Sequence, residues 1–145
     1  MVSERYNFVN VELKNGEVRK EPRLPIILRN PHNGKTISGL AIVDTGADCC
    51  AFSRHACDAL GHHLDSPFAK KAVSYGIGEV PVQTWLHTFE ISLLGWHGHP
   101  VWYTEAIEVE CFESVDVLLI IGVSGFLEHF KVTFDYPELE LILEN

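Results

Sequence analysis

The sequence predicts an all-β protein, mainly strands with one or two short helices, closed into a small barrel or sandwich. Three observations lead there. Apolar residues recur with period two along most of the chain, turn signals interrupt them every ten residues or so, and only residues 54–60 and 124–130 fit helical turns. With 145 residues, 46% hydrophobic and 21% charged, the chain can build one self-sufficient core and is too apolar to be disordered. No linker, low-complexity tract or long internal repeat divides it, so one domain over residues 1–145 is expected.

The elements follow in order. "VNVELKNGEVRK" places Val9, Val11 and Leu13 on one face and ends them at Asn15-Gly16, a pair that tolerates the positive φ of a tight hairpin. Residues 1–20 therefore read as an N-terminal hairpin extension. "LPIIL" (24–28) is a short buried strand, "RNPHNGKT" a loop around a second Asn-Gly, and "ISGLAIV" (37–43) the next strand. Ser53 can cap a two-turn helix, "RHACDAL", which Gly61 ends. Trp85, Phe89, Ile91 and Leu93 share strand parity, with His87 between them. "LLGWHGHP" is a loop, "VWYTEAIEVE" one strand or two, and "VLLII" a buried strand ending at Gly122. "SGFLEHF" reads as a helical turn with Ser124 as cap, and "KVTFD" and "ELELIL" as strands about a Tyr136-Pro137 turn.

Lys and Arg number 11 against 20 Asp and Glu, a formal charge of −9. That excludes a generic phosphate-binding surface, so no nucleic-acid partner is expected. No apolar run is long enough to cross a bilayer, and "MVSERYNFVN" lacks the apolar segment of a secretory signal. The expected compartment is the cytoplasm, with no membrane partner and with Cys49, Cys50, Cys57 and Cys111 as thiols.

Chemistry concentrates at "IVDTGA" (42–47). An apolar strand delivers Asp44 to a turn, Gly46 lets the backbone bend sharply, and Thr45 adds a hydroxyl. A carboxylate fixed at the end of a rigid strand is a positioned catalytic group. An Asx turn, with Asp44 bonding its own backbone two residues on, explains the same residues structurally. The segment alone supports both.

"IVDTGA" resembles the active-site segment of the aspartic proteases, and its single copy on a short chain resembles the retroviral type, the retropepsins. The resemblance continues in order over residues 22–143. "SYGIGE" (74–79) looks like the glycine-rich flap, and "LLIIG" (118–122) like the apolar segment that packs behind the catalytic loop. "SGFLEHF" looks like the helix after it, and the ending "FKVTFDYPELELIL" like that of cellular, bacterial-type members. The resemblance implies a single-lobe retropepsin-like acid protease barrel and an aspartic endopeptidase. It implies a homodimer in which two Asp44 carboxylates share a proton, an effect for which this protease class is the reference case. Thr45 and Gly46 would support the catalytic loop. Ala47, Asp48, Tyr75, Gly76, Ile77 and Gly78 would bind a peptide or protein substrate, without cofactor or metal.

The chain departs from the pattern in two places. Retropepsins usually carry a basic residue after the apolar-apolar-Gly segment, and it pairs with the acid four positions beyond the catalytic one. Here Val123 and Asp48 occupy those places, which leaves Arg23 as a candidate partner for Asp48, within or across subunits. Glu79 stands where a further flap glycine is common. The missing basic residue at Val123 motivates a rival, a non-catalytic peptide- or protein-binding module on the same fold, monomeric or with an unassembled dyad. In a third reading residues 1–20 block the dimer interface. Other constellations are weaker. The eight histidines offer no H-E-x-x-H and the cysteines no C-x-x-C. "GVSGF" fails the G-x-S-x-G elbow at Phe126, and Cys49-Cys50 would need a histidine brought to them in space.

Overall fold

The period-two segments close on themselves in the computed structural model, which describes residues 1–76 and 78–145. Ile77, placed in the flap tip by sequence, lies outside the described residues. Strand β1 is Ser3–Asn7, β2 Val9–Glu12, β3 Val18–Glu21, β4 Arg23–Arg29 and β5 Thr36–Val43. Then come β6 Ala51–Ser53, helix α1 Arg54–Ala59, β7 Lys70–Tyr75, β8 Pro81–Leu94 and β9 Pro100–Tyr103. The chain ends with β10 Ile107–Phe112, β11 Leu119–Ile121, a 3-10 turn Leu127–His129, β12 Lys131–Asp135 and β13 Glu140–Glu144.

The barrel ring runs β4–β5–β11–β6–β10–β8 and returns to β4. The β5–β11 and β6–β10 pairs are parallel and the others antiparallel. Closure leaves no ladder edge open in the ring. Strand β8, 14 residues long, makes it possible by serving different partners along its length. Glu90 to Leu93 pair with β4, Thr84 to Phe89 with β10, and Pro81 to Leu86 with β7. Alternation puts Leu24, Ile26 and Leu28 of β4 and Phe89, Ile91 and Leu93 of β8 wholly inside. There Phe52 meets Phe89 edge-on at 5.1 Å between ring centroids. Among the described residues no helix is long and apolar enough to cross a membrane.

Strand β1 has no counterpart in the sequence reading, because "SERYN" turns only Tyr6 inward. It pairs with β13, which pairs with β12, and the Tyr6 hydroxyl donates to the Leu94 carbonyl at 2.8 Å. The β2–β3 hairpin forms as expected, with Gly16 at φ 84°. "VWYTEAIEVE" is two strands. Two expected caps are corrected. Ser53 stands at the N-cap of α1, but its hydroxyl accepts from the Leu118 amide at 3.0 Å and so ties the helix start to the segment before β11. Ser124 caps nothing: the 3-10 turn starts from Phe126, and Ser124 bridges to Cys49.

Two packing constraints have measurable consequences. A Cβ on buried Gly122 would collide with the Cys49 backbone carbonyl and lie 2.8 Å from that of Ala47. Gly122→Ala should therefore lower unfolding stability by about 1–3 kcal/mol, read from the urea midpoint at unchanged m. His62 packs against His87 and Phe89, each at 4.9 Å, and contacts the Thr88 carbonyl at 2.8 Å. Burial, reinforced by neighbouring His87 and His32, holds its pKa below the usual histidine value despite the Thr88 contact. The folded state thus binds fewer protons than the unfolded one. Stability should be level above the unfolded pKa near 6.5 and fall as pH drops below it. His62→Gln should flatten that slope in denaturant titrations between pH 7 and 5.

Candidate active site

Asp44 is placed by the strand that precedes it. Ile42 and Val43 of β5 lie beside Ile120 and Ile121 of β11, and the Asp44 amide continues the ladder by donating to the Ile121 carbonyl at 3.0 Å. The chain then turns: the Ala47 amide donates to the Asp44 carbonyl at 3.2 Å. The Gly46 amide donates to Asp44 Oδ1 at 2.9 Å. The Asx turn is therefore present, and it fixes the carboxylate through one oxygen while Oδ2 makes no hydrogen bond within the described chain. Asp44, Thr45 and Gly46 are all exposed on the single chain, while Val43 behind them is buried.

The loop after the turn is locked from below. The Val123 amide donates to the Ala47 carbonyl at 2.9 Å and the Ser124 amide to the Asp48 carbonyl at 2.7 Å, so residues 44–49 lie directly over Gly122. Across from this loop stands the β7–β8 hairpin, with Tyr75 opposite Pro81 at the base of its tip. Gly78 has φ 83°, Glu79 has φ 58°, and the Glu79 amide donates to the Gly76 carbonyl at 3.1 Å. The non-glycine residue at 79 thus adopts a backbone that favours glycine.

Loop and hairpin enclose a cleft of about 840 Å³. Of the residues singled out in the sequence, Asp44, Gly46, Ala47 and Asp48 line it from the loop, and Tyr75 and Gly76 from the hairpin. Thr45 and Gly78 are exposed outside its lining, as is Glu79. Cys49, Ala51, Val73, Ser74, Glu110 and Ile120 complete the lining and were not singled out as binding residues from the sequence. Alternation along β10 separates Glu110 from buried Val109 and Cys111, but only the parallel β6–β10 pairing sets it beside the loop.

Arg23 does not reach Asp48 within the chain. Its guanidinium holds Glu21 through Nη2 at 2.9 Å and Nε at 3.2 Å, and Arg19 Nη2 holds the same carboxylate at 2.7 Å. Burial pushes the Glu21 carboxyl up, but hydrogen bonds from Arg19 and Arg23 outweigh it and keep the group below its ordinary range. Among the described residues Asp48 makes no ion pair.

The cysteines are free but poorly suited to attack. Burial, then the neighbouring Glu110 carboxylate, pushes the Cys49 thiol up to about 11, and burial pushes Cys50 to about 11. No group of three or more His, Cys, Asp or Glu side chains among the described residues is placed to hold a metal ion. His87 Nε2 lies 2.8 Å from the Leu64 carbonyl, within the barrel wall.

No protein-family model matches the sequence, and no curated protein matches it. Solved structures do. A retropepsin-like aspartic protease from Rickettsia conorii is 19% identical, with 99% of this chain and 94% of that one covered at a TM-score of 0.55. The retroviral protease-like domain of Ddi1 from Leishmania major is 19% identical, over 85% of this chain and 89% of that one, at 0.47. The EIAV protease in complex with the inhibitor HBY-793 is 15% identical, over 77% and 89%, at 0.42. The likeness to the Rickettsia structure spans nearly the whole barrel, and this chain has a retropepsin-like fold in a single lobe.

Proposed function

We propose that the protein is an aspartic endopeptidase that acts as a homodimer. The observation that carries this reading is the Asp44 carboxylate itself. It is held by one oxygen at the bent end of β5, exposed on the single chain, and faces a cleft roofed by a glycine-tipped hairpin. A two-fold axis through this surface would bring two such carboxylates together. One then takes a proton from a water while the other, protonated, polarises the scissile carbonyl, and the water adds without a covalent enzyme intermediate. The pair titrates as a unit. Thr45, exposed beside Asp44, is assigned to bracing the two loops across the axis. An extended peptide would run beneath the hairpin along Ala47 and Asp48, with Tyr75, Gly76 and Gly78 above it. The four free cysteines fit a reducing cytoplasm.

One observation favours a second reading, a non-catalytic peptide-binding module. Asp48 lacks a cationic partner among the described residues, Val123 cannot supply one, and Arg23 is committed to Glu21. A chain that stays monomeric cannot assemble the dyad.

Cleavage of a peptide library between pH 4 and 7 tests the first reading. Asp44→Asn should lower kcat by about 10²–10⁴-fold with the fold retained, since it removes the acid–base group. Cleavage that survives this substitution would falsify the assignment. The second reading is tested by sedimentation: the native chain should dimerise at micromolar concentration, whereas a strict monomer favours the binding module. Because residues 123–124 and 47–48 are joined by backbone hydrogen bonds, Val123→Arg places a guanidinium near Asp48. It should tighten self-association by about tenfold.

A further inference from the structure

The geometry points to Glu110 as the residue that selects a basic side chain, lysine or arginine, in a peptide bound across the cleft. This rests on the cleft being a peptide site, as proposed above. Strand β10 sends Val109 and Cys111 into the core and Glu108 and Glu110 out by the opposite face. Their fates differ. Glu108 is exposed and paired with Lys70 Nζ at 3.0 Å. Glu110, opposite Ala51 of β6 and Leu86 of β8, is half-buried in the cleft wall and makes no ion pair among the described residues.

A carboxylate partly withdrawn from water without a cation loses hydration that its neighbour, the weakly donating Cys49 thiol, replaces only in part. Its effect on its surroundings is visible at Cys49, whose thiol it helps push upward. Among the described residues no lysine or arginine lines the cleft, and the other carboxylates there belong to Asp44 and Asp48. A peptide ammonium or guanidinium entering next to Cys49 would supply the missing counter-charge. A peptide carboxylate at the same place would meet like charge in a partly dry site. Discrimination between the two then arises from attraction and repulsion together. The chain's formal charge of −9 acts in the same direction at longer range by drawing basic peptides to the surface.

Binding and cleavage are measured separately, so that failure of this inference and failure of the peptidase reading can be told apart. The probes are fluorescent peptides identical except for Lys, Arg, norleucine or Glu scanned through each position. Anisotropy on the Asp44→Asn protein reads binding without turnover. The Lys or Arg peptide should bind at least about tenfold more tightly than its Glu counterpart at one position. Glu110→Gln should reduce that ratio to within about threefold, and Glu110→Lys should reverse it. Each ratio compares two peptides on the same protein, so a general loss of fold or affinity cancels. The wild-type ratio stands without any variant at residue 110. A ratio near one in the Asp44→Asn protein, no binding of any peptide, or a ratio that survives Glu110→Gln overturns the assignment. In the wild-type protein the same ratio should appear in kcat/KM. Absence of cleavage with the binding ratio intact would count against the peptidase and leave the role of Glu110 standing.

Discussion

The structure depends on the crossing of two backbone segments at Gly122. Residues 44–49 pass over β11 so closely that no side chain fits beneath them, and the contact is made of hydrogen bonds from the Asp44, Val123 and Ser124 amides. These bonds join positions about eighty residues apart in the chain, so the loop that holds Asp44 acquires its shape only when the barrel closes. A loop fixed in this way loses little further entropy when it acts, which is the physical requirement for a positioned carboxylate. Val43 and Ile121, buried on either side of the β5–β11 pairing, exclude water from these bonds.

Charge is distributed in keeping with that arrangement. Away from the cleft several acids have partners: Glu140 with Arg5, Glu90 with Arg29, Glu113 with Arg54 and Glu108 with Lys70. Such exposed pairs contribute little to stability, about 0–1 kcal/mol each. They hold Arg5, Arg29, Arg54 and Lys70 away from the cleft, and among the described residues no lysine or arginine lines it. Around the cleft Asp44, Asp48 and Glu110 have no such partner among the described residues. The acidity of the chain, in the sequence only an argument against nucleic acid, extends in three dimensions into one concave surface.

Much of this was legible in the sequence, for local reasons. Period two located the strands from 24 onward because most of them bury one face, and Asn-Gly and the glycine pair at 76 and 78 marked hairpins by their backbone freedom. The site loop was legible because a carboxylate, a hydroxyl and a glycine follow an apolar strand within four residues. What escaped required partners distant in sequence. Strand β1 shows little alternation and exists because β13 is there to receive it. The Ser53 hydroxyl turned from its own helix to Leu118, a choice that no local rule decides. Arg23 took the nearer acid, Glu21, two residues away on its own strand approach, in preference to one across the fold. Glu110 looked like any outward-facing strand residue until the parallel β6–β10 pairing placed it beside Cys49.

The hairpin tip obeys a different economy from the loop beneath it. Glu79 holds φ at 58°, a left-handed conformation that costs a non-glycine residue about 1–2 kcal/mol. Among the described residues of the tip none recovers that energy by burial, since Gly76, Gly78, Glu79 and Val80 are all exposed. The loop over Gly122 is thus anchored by backbone hydrogen bonds and unstrained in φ, while the tip opposite is exposed and strained. Strain at an exposed turn raises this arrangement toward its alternatives, so rearranging the tip costs less than rearranging the loop. A cleft built from one fixed wall and one easily rearranged roof can admit an extended chain without disturbing the carboxylate that would act on it.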